Sequence, residues 1–245
     1  MVQSKVPGKK PAGQKVLNGK KHTHESGSFQ VVEAYKTLRT NLLFALSLAD
    51  KRSVVVSSAE PDAGKSHTCY HLAHSMAELN SRVLIIDADM RKPTQHTFFR
   101  LANNFGLSRL LSGQDSLEKS IHRSVAENLD LITSGPIPPN PSELLGSDNM
   151  QNLLNILEEH YDYIFLDTPP INVVSDTLVV CGRTAGVLLI ARQGQTTYDD
   201  LKRAADSLKM AKSNLLGVVI TDMAQQKGLY KYRSYKYKYY KYGNG

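Results

Sequence analysis

The stretch Ser58-Ala-Glu-Pro-Asp-Ala-Gly-Lys-Ser66 follows a short β-branched run, Ser53-Val-Val-Val-Ser57, and precedes an amphipathic segment. A Gly-Lys-Ser triplet between a strand and a helix is suited to binding phosphate. Successive backbone N–H groups and the helix N-terminus form an anion cradle. The lysine reaches the terminal phosphates and the serine hydroxyl ligates Mg²⁺. Here the loop offers Pro61, Asp62, Ala63, Gly64, Lys65, Ser66 and His67. It departs from the G-x-x-x-x-G-K-[ST] pattern at its first position, where Ala59 stands for glycine.

Two later segments end in acids. Val83-Leu-Ile-Ile-Asp-Ala-Asp-Met-Arg91 carries Asp87, Asp89 and Arg91, and Tyr163-Ile-Phe-Leu-Asp-Thr-Pro-Pro170 carries Asp167. Both read as strands, and in an open α/β sheet the carboxyl ends of strands converge on one crevice. Three carboxylates are therefore expected beside Lys65 and Ser66. There they would hold Mg²⁺, directly or through water, and orient a nucleophile. A single acid after a strand is more often a cap or turn residue; three such acids together with a phosphate loop favour a nucleotide site.

The elements that must position these residues alternate along the chain. Strands are expected over Ser53–Ser57, Val83–Asp87, Leu129–Thr133, Tyr163–Asp167, Gly186–Ala191 and Leu216–Thr221. Helices are expected over Ser28–Leu48, Ser66–Leu79, Gln114–Ile121, Asp148–Glu159 and Tyr198–Ala211. Short apolar strands separated by amphipathic helices predict an α/β fold, a parallel sheet covered on both faces. Residues 1–28 are rich in Lys, Gly and Ser and read as a disordered basic arm, 29–226 as the folded domain, and 227–245 as a flexible tail.

Charge is distributed unevenly. The chain of 245 residues carries +7, with +5 in residues 1–28, +6 in residues 227–245 and −4 in between. A mildly acidic body with basic ends argues against a nucleic-acid groove and for arms that meet phosphate or anionic surfaces. No run approaches the ~18 apolar residues of a membrane span, and the N-terminus lacks the apolar region of a secretory signal. The two cysteines, Cys69 and Cys181, exclude a disulfide scaffold or structural zinc site and fit a reducing compartment.

Seven of the twelve tyrosines lie in the last segment: Tyr230, Tyr232, Tyr235, Tyr237, Tyr239, Tyr240 and Tyr242. A basic, aromatic segment can bind nucleic acid by stacking; attached to a nucleotide site, it is a natural phosphate acceptor. His71 and His74 have a metal-binding spacing but no third ligand, so packing is expected of them. Cys181 reads as a plain thiol, and Tyr198 with Asp199–Asp200 as the start of a helix. Ser175-Asp176 falls near the Asp167 segment, with no role that the sequence decides.

Taken together, these motifs resemble the bacterial protein-tyrosine kinases, in particular the stand-alone Gram-positive type that works in capsule or exopolysaccharide synthesis. The resemblance rests on the loop around Gly64-Lys65-Ser66, on a second Walker motif at Ile85–Arg91, and on a Walker B at Phe165–Pro170. It also rests on Ser134–Leu145, on Glu33-Ala-Tyr-Lys-Thr-Leu-Arg39, and on the terminal tyrosines. It implies the P-loop sheet shared with MinD- and ParA-type ATPases, with ATP and Mg²⁺ as cofactors. It assigns Lys65 and Ser66 to phosphate and metal, Asp87 to activation of the tyrosine hydroxyl, and Asp89 and Asp167 to support of the metal. Arg91 completes the second motif. Glu33, Lys36 and Arg39 would build a ring-shaped oligomer, with lysine at position 36 where the family pattern has arginine. Asp62 stands where that family's loop commonly has glycine. The resemblance further implies transfer in trans onto the tail, a transmembrane adaptor that activates the kinase at the inner membrane face, a cognate phosphatase, and sugar-nucleotide enzymes as other substrates. The alternative is a nucleotide-switched ATPase of ParA/MinD type that binds membrane or DNA; a terminal amphipathic helix would favour it over the tyrosines found here.

Overall fold

The computed structural model describes residues 22–223, with side chains from Phe29 onward; the basic arm up to residue 21 and the tyrosine-rich tail lie outside the described residues. The chain enters through a long helix, α1 (His22–Leu46), which starts six residues before the position that the periodicity predicts. It continues into β1 (Ser53–Ser58), α2 (Lys65–Ala77) and β2 (Val83–Asp87). Three short helices follow, α3 (Gln95–Phe98), α4 (Leu107–Leu111) and α5 (Leu117–Ser120), then a hairpin of β3 (Ile121–Ala126) and β4 (Leu129–Ile132). The remainder is α6 (Pro141–Gly146), α7 (Asp148–His160), β5 (Tyr163–Asp167), α8 (Asp176–Cys181), β6 (Gly186–Arg192), α9 (Tyr198–Met210) and β7 (Leu215–Thr221).

The strands form one seven-stranded sheet in the order β3-β4-β2-β5-β1-β6-β7. All pairings are parallel except β3 with β4. The expected helix Gln114–Ile121 is therefore corrected. Only α5 is helical there, and Ile121 opens β3, which pairs antiparallel with β4. Asn128, in the left-handed region at φ 57°, turns the hairpin, a conformation that asparagine tolerates better than most residues. The hairpin covers one edge that a purely parallel sheet would leave bare.

Side chains alternate across the sheet with the period of two that strands impose. Val54, Val56, Val83, Ile85 and Phe165 face a core shared with Leu42 and Leu46 of α1 and Leu72, Ala73 and Met76 of α2. Val55, Leu84, Ile86, Leu166 and Leu189 face the other side, against Leu153, Leu154 and Leu157 of α7, Val180 of α8 and Leu208 of α9. Burial on both faces is why these strands read as unbroken apolar runs. Because β2, β5 and β1 are adjacent and parallel, their carboxyl ends form one rim. No helix among the described residues is long and apolar enough to cross a membrane.

Candidate active site

The rim brings together what the sequence spreads over a hundred residues. Register pairs Asp87 at the end of β2 with Asp167 at the end of β5, and β1 runs beside β5 into the loop before α2. Gly64 caps α2 at φ 89°, a left-handed conformation that L-residues adopt with strain, which explains the glycine. Asp62 also lies at positive φ, 59°. Aspartate is among the few non-glycine residues that tolerate it, so this departure from the family loop fits the backbone, and its side chain is exposed.

Lys65 leads α2 into the cluster. Its Nζ lies 2.8 Å from Asp89 Oδ2, 3.4 Å from Asp167 Oδ1 and 3.1 Å from Ser66 Oγ. Burial works against the ammonium, but Asp167 and Asp89 outweigh it and hold the lysine charged, with its pKa above the ordinary value. Asp87 is fully buried, and one of its oxygens accepts from the N–H groups of Thr94 (3.0 Å) and Gln95 (2.9 Å). Its other oxygen, Oδ1, has no partner. Burial and the neighbouring Asp167 push the Asp87 carboxyl well above the usual range. Asp89 accepts from the N–H of Lys92 at 3.0 Å, which anchors the turn after β2.

Gln95 was not legible in the sequence. It is fully buried, and its amide donates to Asp167 Oδ2 at 2.8 Å and to the Ser66 carbonyl at 3.0 Å. One glutamine thus joins all three walls of the crevice. Nothing in its spacing marks it, because the turn after Arg91 alone brings it inward.

The three carboxylates gather about the Lys65 ammonium instead of forming a ready metal cage; among the described residues no three acid, imidazole or thiol groups converge on one point. The donors nonetheless suit Mg²⁺. They are hard oxygens, and Asp87 Oδ1 is buried without a hydrogen-bond partner. Magnesium commonly takes only one or two protein oxygens and completes its shell with water and phosphate.

Other candidates fall elsewhere. Arg91 turns away from the lysine and makes a bidentate pair with Asp176 at 2.8 and 2.9 Å. Ser142 donates to the same carboxylate at 2.5 Å. Asp176, on which the sequence is silent, is thereby a buried brace joining the second Walker motif to α6 and α8. The His67 ring meets His71 and Phe98 edge-on, within a set of rings that includes Tyr35 stacked on His71 at 4.9 Å. Burial there, with the neighbouring histidines, lowers His71 to about 4; the histidines are packing residues. Both cysteines are buried free thiols. Helix α9 starts at Tyr198 as expected, but its cap is Thr197, in a reciprocal pair with Asp200. Glu33 and Lys36 pair with each other at 2.9 Å on the exposed side of α1. Arg39 binds within its own chain, to the Ser75 carbonyl and, at 3.4 Å, to Glu78. The seven candidate acceptor tyrosines lie outside the described residues.

Against known proteins, residues 51–197 match the model of an AAA domain. The chain is 40% identical over 203 residues to tyrosine-protein kinase YwqD of Bacillus subtilis, covering 83% of this chain and 84% of that one. The solved kinase domain of Escherichia coli tyrosine kinase ETK superposes with a TM-score of 0.79 at 35% identity, covering 88% of this chain and 84% of that one. The septum site-determining protein MinD of Pyrococcus horikoshii, solved with Mg-ADP, reaches a TM-score of 0.60 at 19% identity over 71% of this chain and 72% of that one. That last likeness shows the fold alone.

Proposed function

The chain belongs to the bacterial tyrosine-protein kinases, and on that basis we propose that it phosphorylates its own C-terminal tyrosines, Tyr230 to Tyr242, at the expense of ATP. The observation that carries this reading is the buried carboxylate cluster around Lys65, with one oxygen of Asp87 held by two N–H groups and the other left without a partner. Phosphoryl transfer asks the protein mainly for positioning and for neutralisation of charge. The loop from Pro61 to His67 supplies backbone N–H groups, from Asp62 onward, to the phosphates. Lys65, which waits on Asp89 and Asp167, exchanges those carboxylates for phosphate oxygens when the nucleotide arrives.

Asp87 takes the proton of the tyrosine hydroxyl. A tyrosine pKa near 10 makes a base useful, and a carboxylate raised toward neutrality is a better base than an ordinary one. Ser66, Asp87, Asp89 and Asp167 would hold Mg²⁺, directly or through water. Its chemistry there would be to offset the charge of the β- and γ-phosphates. Gln95 keeps Asp167 and the first turn of α2 in register. Arg91 acts at one remove, by fixing the turn that carries Asp89.

The finer parts of the proposal rest on family resemblance. They are transfer in trans within a ring built through the Glu33–Arg39 face, activation by a transmembrane adaptor at the inner membrane face, reversal by a tyrosine phosphatase, and control of polysaccharide synthesis and export. Each phosphotyrosine adds about −1.5 to −2, so full modification reverses the charge of the basic tail and would loosen such a ring.

The test is to incubate the purified chain with Mg²⁺-ATP, with and without the adaptor's cytoplasmic segment, and to map phosphate by mass spectrometry. We expect phosphate on Tyr230–Tyr242, reduced by about two to three orders of magnitude in Lys65→Met. ATP hydrolysis with an unmodified tail in both conditions would instead make the chain a nucleotide-switched ATPase.

A further inference from the structure

The loop that receives phosphate is held from outside by the far end of the sheet. Every carbonyl from Ser58 to Gly64 has a donor. Ile171 and Asn172 donate their N–H groups to Ser58 and Ala59 at 2.8 and 3.2 Å. Ser58 Oγ donates to Glu60 at 2.7 Å, and the N–H of Thr68 donates to Gly64 at 2.9 Å. The three carbonyls between them are taken by side chains from β6, β7 and the turn after β6. Gln195 Nε2 donates to Pro61 at 3.0 Å, Arg192 Nη1 to Asp62 at 3.2 Å, and Thr221 Oγ1 to Ala63 at 2.8 Å.

A peptide unit is planar and trans, so a carbonyl turned one way turns the next N–H the other way. Fixing the carbonyls of 61, 62 and 63 outward therefore directs the N–H groups of Asp62, Ala63 and Gly64 inward. None of these three N–H groups donates to another described residue. Three free donors on the concave side of a loop form an anion site. From this we infer that Gln195, Arg192 and Thr221 are positioning residues for phosphate. They hold the loop with its donors already aimed, so that the nucleotide does not have to reorder it. The inference rests on the nucleotide-site reading above and extends it to residues 130 to 158 positions away in the chain. Arg192 is itself set by Asp222, with contacts of 2.6 and 2.7 Å.

The test uses the full chain and its affinity for ADP and AMP, measured by calorimetry beside nucleotide-free melting curves. Thr221→Val keeps the shape and removes the hydroxyl. It should weaken ADP about tenfold, the loss of one well-placed hydrogen bond, while Thr221→Ser stays within about twofold of wild type. AMP, which lacks the phosphate that sits in the loop, should change little, so the preference for ADP over AMP shrinks. Gln195→Ala, at an exposed position, should lose about threefold for ADP without altering the melting curve. The inference is overturned if Thr221→Val and Gln195→Ala bind ADP like wild type. It is equally overturned if ADP and AMP weaken alike, or if serine fails to restore binding. A wild-type chain that binds no ADP would sink the nucleotide reading, and this inference with it.

Discussion

A carboxylate buried at the end of a strand is costly to keep charged, and Asp87 is such a group. Burial and Asp167 raise its pKa well above the ordinary aspartate value of 3.8. Between 3.8 and the raised value the folded chain therefore binds this proton more tightly than the unfolded chain. Stability falls as pH rises through that window. Asp87→Asn keeps the hydrogen-bonding shape without the charge. We expect it to raise the nucleotide-free melting temperature at pH 7 by roughly 2–4 °C, the shift of about 1 kcal/mol in a domain of this size. The stability slope across acidic pH should flatten, while phosphoryl transfer falls by about 10²–10⁴. Thermal melts over a pH series, run beside a kinase assay, check both. Asp87, Asp89 and Asp167 were legible because they sit at or just after strand ends, which converge, and Lys65 and Ser66 because they open the helix after a Gly-ended loop. Gln95, Arg192, Gln195 and Thr221 were not. Their roles come from turns and cross-sheet contacts that leave no periodic mark in the sequence.

Among the elements, long segments announced themselves and short ones did not. The parallel strands and helices α2, α7 and α9 each run for enough residues to show an apolar pattern. Helices α3, α4, α6 and α8 have four to six residues, too few for a 3.6-residue period to repeat. The expected helix Gln114–Ile121 runs into the first residue of β3 because it has no breaker inside it, and the rest of β3 is not assigned from the sequence; the turn at Asn128 decides the hairpin. The short helices matter through their contacts. Arg91 ties the turn after β2 to α8 through Asp176, with Ser142 of α6 on the same carboxylate. Arg91→Met leaves a fully buried acid without its cation and should cost about 2 kcal/mol, below the range for wholly buried pairs because Arg91 is 43% exposed. Adding Asp176→Asn should recover most of that loss. Denaturant titration of the two variants checks it, and equal instability of single and double variants would deny the brace.

Over the whole molecule, six of seven strands run the same way, so one rim collects every strand-borne site residue. The last strand ends at that rim as well. Thr221 touches the loop before α2, and 22 residues of the chain follow Met223, two positions further on. Fully extended, such a length spans no more than ~80 Å. The proposed acceptor tyrosines are therefore tethered to the rim that carries the candidate site, at a local concentration in the millimolar range. Dilution separates the two ways of using that tether. Transfer onto a chain's own leash has a per-molecule rate independent of how dilute the sample is. Transfer onto a neighbour's leash keeps its rate only while the assembly persists and slows once the subunits part. Since we propose transfer in trans, the rate of phosphotyrosine formation per chain should fall across a hundredfold dilution; a flat profile would assign each tail to its own kinase.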